Sequence, residues 1–320
     1  MAEGIYLDFE RPIAELEKKI SDMKDFSLGR NIELSGEIAS LEQKLERLRT
    51  EIYSGLTRWQ RVQLSRHPKR PHTMDYINAI TSDFIELHGD RGFADDKAMI
   101  GGLGTIDGQQ VMFVGQEKGR DTNQKLMRNF GMAHPEGYRK ARRLFFLASK
   151  FNLPIVILID TMGAFPGIGA EERGQAEAIA LNIQTMFTLK VPIVVVIIGE
   201  GASGGALGIG IGDRVLMMEY AWYSVISPEG CAAILWRDAA KAPEAAEALK
   251  PTADDSLSLG IVDKIIPEPP GGAHNDPAEA ARTVKAEIVQ ALEELKHKPL
   301  ETLLNERIMK YRRMGEYHVL

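Results

Sequence analysis

The sequence predicts an α/β protein whose sheet is preceded by a helical hairpin and followed by further helices. Three observations carry this. Two runs, "PIVILID" at residues 154–160 and "PIVVVII" at 192–198, are apolar almost throughout, as strands buried on both faces must be. Each leads into a Gly-bearing turn followed by a helix, which implies neighbouring parallel strands with covering helices. Up to about Thr57, by contrast, apolar residues recur at spacings of three and four.

In that first stretch Ile13, Leu16, Ile20 and Met23 make one stripe, and Ile38, Leu41, Leu45, Leu48 and Ile52 another. "DFSLGRNIELSG" between them carries turn residues, so a hairpin is expected whose seams pack on each other, on the body or on a second chain. The segment "TRWQRVQLSRHPKRPHTMD" collects Arg58, Arg61, Arg66, Lys69 and Arg70 ahead of Pro68 and Pro71 or beside them. It reads as a linker with a solvated basic face, or as a surface for a polyanionic ligand. From about Ala98 the period shortens to that of strands, with a tight turn at Asp107-Gly108. A helix over 135–151 carries Arg139, Lys140, Arg142 and Arg143, with Leu144, Phe145 and Leu147 facing inward. The two apolar strands follow, and setting Pro154 on Pro192 overlays Gly163 on Gly201 and Gly167 on Gly205, an internal repeat. Beyond Asp213 come short strands at "RVLMME" and "WYSVI", a helix starting near Ser227, and a final helical stretch from about 278 to 311 broken at "KPL". The expected division is a hairpin over 1–57, a linker and helix over 58–97, the core over 98–270 and C-terminal helices over 271–320.

Bulk properties exclude several classes. The 320 residues carry a formal charge of −6, which gives no general attraction to nucleic acid or anionic membrane. Cys231 is the only cysteine, so this chain alone builds neither a disulfide framework nor a Cys-based zinc site. No apolar run approaches the roughly 18 residues of a membrane span, and "MAEGIYLDFE" is acidic without an apolar h-region. A soluble, cytoplasmic protein is expected.

"GEGASGG", residues 199–205, admits three chemistries. Gly199, Gly201 and Gly204 fit a dinucleotide-binding turn with Glu219 as its acid, but Gly208, Gly210 and Gly212 each cost the required helix about 1 kcal/mol. Glu219 then reads as a strand-end carboxylate. Gly201, Ser203 and Gly205 fit a nucleophile elbow, but His274, His297 and His318 lie in loops or terminal helices, and His67, His72, His88 and His134 precede it. Ser203 otherwise serves as a helix cap. Finally, Gly204 and Gly205 lack Cβ atoms, so at a helix start their N–H groups can meet a substrate oxyanion, the helix dipole assisting. Tight packing of two glycines is the competing explanation.

Four segments then carry a resemblance: "QEKGRDTNQKLMRNFGMAHPEGYRKARRL", "LIDTMGAFPGIGAEERGQAEAIA", "GEGASGGALGIGIGDRVLMMEYAWYSVISPEGCAAILW" and "TADDSLSLGIVDKII". Together they resemble the carboxyltransferase alpha-subunit family of multisubunit bacterial acetyl-CoA carboxylases, in the crotonase-like superfamily. The likeness runs over nearly the whole chain, with Ala202 standing where many relatives have a further glycine. It implies a crotonase-like spiral of ββα repeats and an active site shared with a beta subunit, in an alpha2-beta2 heterotetramer. It also implies transfer of a carboxyl group from carboxybiotin, held on a biotin carboxyl carrier protein, to acetyl-CoA, giving malonyl-CoA for fatty-acid synthesis. Biotin carboxylase belongs to the wider complex, and zinc is expected only in the beta subunit. No biotin-attachment Ala-Met-Lys-Met and no P-loop occurs here.

By this resemblance Gly204 and Gly205 hold the biotin oxyanion, the partner supplies the thioester hole, and Gly163, Ala164 and Phe165 line the same cavity. For Arg120 two readings stand, a grip on the migrating carboxylate or an ion pair with Asp121 or another acid.

Overall fold

The computed structural model describes residues 5–30 and 34–315. Asn31, Ile32 and Glu33, part of the stretch expected to turn, and His318 fall outside the described residues. Helices α1 (Arg11–Arg30) and α2 (Ser35–Ser54) form the hairpin. The first helix runs through "DFSLGR", which the turn residues there led us to expect as loop; one interior Gly is a small loss against a packed face. Both seams are used internally. Ile13, Ile20, Leu45 and Tyr53 bury against one another and against Leu64 and Tyr220 of the body.

Helices α3 (Arg58–Ser65) and α4 (Thr73–Ile80) replace the expected linker, the first capped by Thr57. Its four arginines are committed to ion pairs within the chain, while Lys69 stands exposed. Arg58 pairs with Asp255 and Glu247, Arg61 with Asp254, Arg66 with Glu200 and Glu229, and Arg70 with Glu268. Basic residues close in sequence are thus dispersed over distant acids, which a linear reading cannot foresee.

Strands β1 (Phe84–Glu86), β2 (Met99–Ile106) and β3 (Gln109–Gln116) are antiparallel, with Asp107 (φ 46°) and Gly108 (φ 82°) turning the second hairpin as expected. A short α5 (Thr122–Met127) precedes α6 (Pro135–Lys150), which covers β2 and β3 with Leu144 and Phe145 buried. Then come β4 (Ile155–Thr161), α7 (Ile168–Glu172), α8 (Gln175–Met186), β5 (Ile193–Ala202) and α9 (Ser203–Leu207). The chain continues through β6 (Arg214–Met218), β7 (Trp222–Ser224), α10 (Pro228–Trp236, capped by Ser227), α11 (Ala242–Leu249), α12 (Ala253–Ser258) and β8 (Lys264–Ile266). It ends in α13 (Pro277–Lys296) and α14 (Leu300–Arg312), separated by the predicted break.

The sheet order is β1-β2-β3-β4-β5-β6-β8, and β5 divides its partners. Val194–Ile197 pair with β6, whereas Glu200, Gly201 and Ala202 pair with β7. Strand β5 therefore changes partner in its C-terminal half, immediately before the Gly-rich turn. The core consists of the fully buried β4 and β5, clad by α6, α8 and α13.

Candidate active site at two glycine turns

The β4 and β5 pairing obeys the sequence repeat as far as Ile159 opposite Ile197, an offset of 38 residues, and then shifts to Thr161 opposite Gly201. The irregularity places the two glycine turns against each other out of the sequence alignment. A Cβ on Gly205 would stand 2.2 Å from the carbonyl carbon of Gly163 and 2.4 Å from the nitrogen of Ala164. The sequence overlay matched Gly205 with Gly167; in space it meets Gly163 and Ala164. Gly167 has another duty, since a Cβ there would come 2.4 Å from the Phe165 ring.

Gly204 differs from its neighbour. It is half-buried, and a Cβ on it would find nothing nearer than Ile179 Cδ1 at 3.7 Å. Both residues lie in the first turn of α9, where N–H groups have no intrahelical acceptor. With five residues α9 supplies little macrodipole, so the two N–H groups themselves, rather than a helix field, are what a ligand would meet. Tight packing thus accounts for Gly205 but not for Gly204.

Two alternatives lose their footing. A five-residue α9 is no dinucleotide helix, and Glu219 accepts from the Glu268 N–H at the end of β6. Ser203 is exposed at φ +59°, the strained strand-to-helix position of a nucleophile elbow, and Ala202, not Ser203, is the N-cap; what an elbow here lacks is a base among the described residues. Among the described residues no histidine hydrogen-bonds Ser203: His67 stacks on His274, His72 faces Glu117, His88 faces Asp95 and His134 stacks on Phe165.

In the β4 turn, Gly163 has φ +147° and donates its N–H to Thr161 Oγ1, while Phe165 donates to the Ala133 carbonyl. Gly163 and Ala164 therefore join the Gly205 turn, and Phe165 turns its ring to His134, 4.1 Å between centroids. Arg120 is not brought to the glycines by any bond; its guanidinium pairs with Asp75, not with Asp121, which caps α5.

Sequence reasoning passed over a buried charge cluster beside these turns. Lys118 Nζ lies 2.6 Å from both Asp160 Oδ1 and Glu200 Oε2, and Arg66 Nε lies 2.6 Å from Glu200 Oε1. Burial alone would raise the Glu200 carboxyl, but Lys118 and Arg66 outweigh it and hold the group at about 2. Burial likewise opposes the Lys118 charge, and the two carboxylates raise its pKa above the ordinary value. Asp160 Oδ1 also accepts the Glu200 N–H, an approach that a Cβ on Gly199, 2.5 Å from that oxygen, would block. The available signal was an ionisable residue at the end of each apolar strand: Glu117 and Lys118 after β3, Asp160 in β4, Glu200 in β5. A cavity of about 230 Å³ opens on this cluster, lined also by Met162, Phe130, Arg70 and Lys125. Met162 and Glu200 directly precede Gly163 and Gly201, so cavity and turns adjoin along both strands.

The acetyl co-enzyme A carboxylase carboxyltransferase-like family model matches residues 6–315. The chain belongs to this family. Over an alignment 332 positions long it is 56% identical to the acetyl-coenzyme A carboxylase carboxyl transferase subunit alpha of Chlorobaculum parvum, covering 99% of each chain. It is equally 56% identical to the Thermus thermophilus subunit alpha, over 97% of this chain and 98% of that one. Among solved structures, transcarboxylase 12S superposes with a TM-score of 0.57 at 23% identity, over 70% of this chain and 41% of that one. The beta subunit of P. aeruginosa geranyl-CoA carboxylase gives 0.55 at 19%, over 73% and 44%. At such identities these two establish the fold alone, and it is the crotonase-like fold expected of this carboxyltransferase family. No helix among the described residues is long and apolar enough to cross a membrane.

Proposed function

We propose that this chain is the alpha half of an acetyl-CoA carboxylase carboxyltransferase. It moves a carboxyl group from carboxybiotin on a biotin carboxyl carrier protein to acetyl-CoA, forming malonyl-CoA for fatty-acid synthesis in the cytoplasm. The single observation that carries the site assignment is Gly204, a residue at a helix start where a Cβ would make only ordinary contact with Ile179, so packing does not require a glycine there. In this reading the N–H groups of Gly204 and Gly205 receive the biotin ureido oxygen as negative charge develops on it. Gly163, Ala164 and Phe165 shape the wall behind, and the departing biotin nitrogen takes the acetyl proton, so no protein base is required. The Lys118, Asp160 and Glu200 cluster holds the ends of β3, β4 and β5 in register beneath the turns. Arg120 is assigned to its ion pair with Asp75.

The thioester hole and the zinc belong to a beta subunit in an alpha2-beta2 assembly, with biotin carboxylase in the wider complex. A partner is supported by exposed apolar side chains: Ile234, Leu235 and Trp236 of α10 and the nearby Val225 stand in solvent. The hairpin seams, whose use in gripping a partner was one expectation, pack within this chain, with Ile13, Ile20 and Leu45 buried and Leu16, Ile38, Leu41, Leu48 and Ile52 partly so.

The test is malonyl-CoA-dependent carboxylation of biocytin, the reverse reaction, by the chain alone and with a purified beta subunit. Activity only in the mixture is expected, with Gly204→Val lowering turnover about 100-fold in an intact complex. Activity in the isolated chain would refute the shared site, and full turnover by the variant would refute the hole.

A further inference from the structure

We infer that Gln116 is a positioning residue for the Gly204–Gly205 turn, seconded by Tyr138; this rests on the hole assigned above. Two successive glycines offer the fold no side chain to grip and have the widest backbone freedom of any residue. Only their peptide groups can fix how their N–H groups are aimed. The peptide that carries the Gly205 N–H is held at its Gly204 carbonyl within α9, whereas the next peptide, whose carbonyl is that of Gly205, is held from outside the helix. Gly208 donates to the Gly204 carbonyl and Ile209 to the Ala206 carbonyl, while the buried Gly205 carbonyl accepts from two side chains. Gln116 Nε2 donates to it at 3.1 Å and Tyr138 Oη at 3.3 Å. Both side chains are fully buried.

The other end of the same amide is also engaged. Gln116 Oε1 accepts the Asp160 N–H at 3.2 Å. This is where the β4 and β5 ladder shifts register, between Ile159 and Thr161. The Gln116 amide therefore bridges the last residue of β3, the irregular end of β4 and the first turn of α9. Its orientation is determined, because one neighbour is a carbonyl needing a donor and the other an N–H needing an acceptor. Gln116 is itself anchored, its own carbonyl accepting the Thr73 hydroxyl. Tyr138 approaches across Gly208, where a Cβ would come 2.8 Å from its ring. Held from two sides, the Gly205 carbonyl fixes the peptide that follows Gly205 as the Gly208 N–H fixes the one before it, so both torsions of Gly205 are set without adding bulk on the ligand side.

The experiment uses the complex with the beta subunit and the biocytin assay, with melting temperature and complex size measured alongside. Gln116→Leu should lower kcat about 10- to 100-fold with the malonyl-CoA KM unchanged, since a misplaced group of about 1 Å costs that much. Tyr138→Phe should give a smaller loss of the same kind. Gln116→Glu is the decisive variant, because a protonated carboxyl reproduces the amide, accepting from Asp160 and donating to Gly205. Burial raises such a carboxyl towards neutrality, so its kcat relative to the parent should recover as pH falls from 8 to 6. A merely structural role predicts parallel losses of melting temperature and active fraction with no such recovery.

Parental kcat in folded Gln116→Leu, or a Gln116→Glu profile parallel to the parent's, overturns the inference. If Gln116→Leu does not fold, the Gln116→Glu profile and Tyr138→Phe decide. Loss in Gly204→Val with normal Gln116 variants leaves the hole standing and removes only the positioning role. Full turnover in Gly204→Val removes both.

Discussion

The two glycine turns descend from the same strand-and-turn pattern, yet their backbone groups have different fates. After β4, the Gly163 N–H goes to Thr161 and the Phe165 N–H to Ala133. After β5, the glycines open a helix whose first N–H groups have no intrahelical acceptor. In the function proposed above, one copy of the repeat serves as wall and the other receives the ligand. Sequence similarity between the copies cannot reveal this, because it depends on which carbonyls and hydroxyls the fold brings near. The register shift between Ile159 and Thr161 breaks the symmetry of the repeat and sets Gly205 on Gly163.

The largest way to break this arrangement lies beneath both turns. Lys118→Met would leave Asp160 and Glu200 buried with Arg66 as their remaining cation, a loss of about 3–5 kcal/mol in stability. The acid branch of the stability profile should change with it. Glu200 titrates at about 2 in the fold, below its ordinary value of 4.5, so its contribution is complete above 4.5 and disappears as pH falls towards 2. The parent should therefore weaken through that window, and the variant, with Glu200 less depressed, should show a flatter curve. Chemical denaturation at a series of pH values measures both.

Next in size is Gly205→Ala. Its Cβ would meet main chain rather than a flexible side chain, so relief requires the turns to separate, at about 3 kcal/mol. Melting temperature and turnover should fall together. Gly204→Val, by contrast, should leave melting unchanged while turnover falls, and the pair of variants separates packing from ligand contact. Equal melting losses at the two positions would erase the distinction drawn between them.

Much of the fold was legible because buried strands and amphipathic helices announce themselves by period. The two apolar strands, the Asp107-Gly108 turn, the Ser227 cap and the break near Lys298 all lie where local pattern puts them. The glycine pair was legible for the same reason, as a turn after a buried strand. What depends on distant partners was not. Nothing near Arg66 in sequence points to Glu200, and nothing in "QQVMFVGQEKG" tells that Gln116 reaches Gly205 or that Lys118 bridges two carboxylates. Arg58 to Arg70 looked like one basic surface because charge was counted along the chain, whereas the fold gives each arginine its own acid.

A smaller effect is expected at Gly163. Its φ of +147° disfavours any L side chain, yet a Cβ there would meet no atom within 4 Å. Gly163→Ala should therefore cost on the order of 1 kcal/mol through backbone strain alone. If the β4 turn is wall, turnover should fall no more than the melting loss explains. A turnover loss as large as that of Gly204→Val would mean that both turns meet the ligand.

The smallest effect belongs to Arg120, and it bears on how far the site extends beyond the glycines. Its guanidinium is about half exposed and already paired with Asp75, whose carboxylate also accepts the His72 N–H. An exposed pair of this kind contributes roughly 0–1 kcal/mol. Arg120→Ala should accordingly change melting little and leave the KM and kcat of biocytin carboxylation near the parent's. Asp75→Asn separates the two roles: if Arg120 were a grip on the migrating carboxylate, freeing it from Asp75 would improve turnover and Arg120→Ala would abolish it. Near-parental kinetics in both variants place the boundary of the carboxylate site inside Arg120, at the glycine turns and the cavity over Lys118.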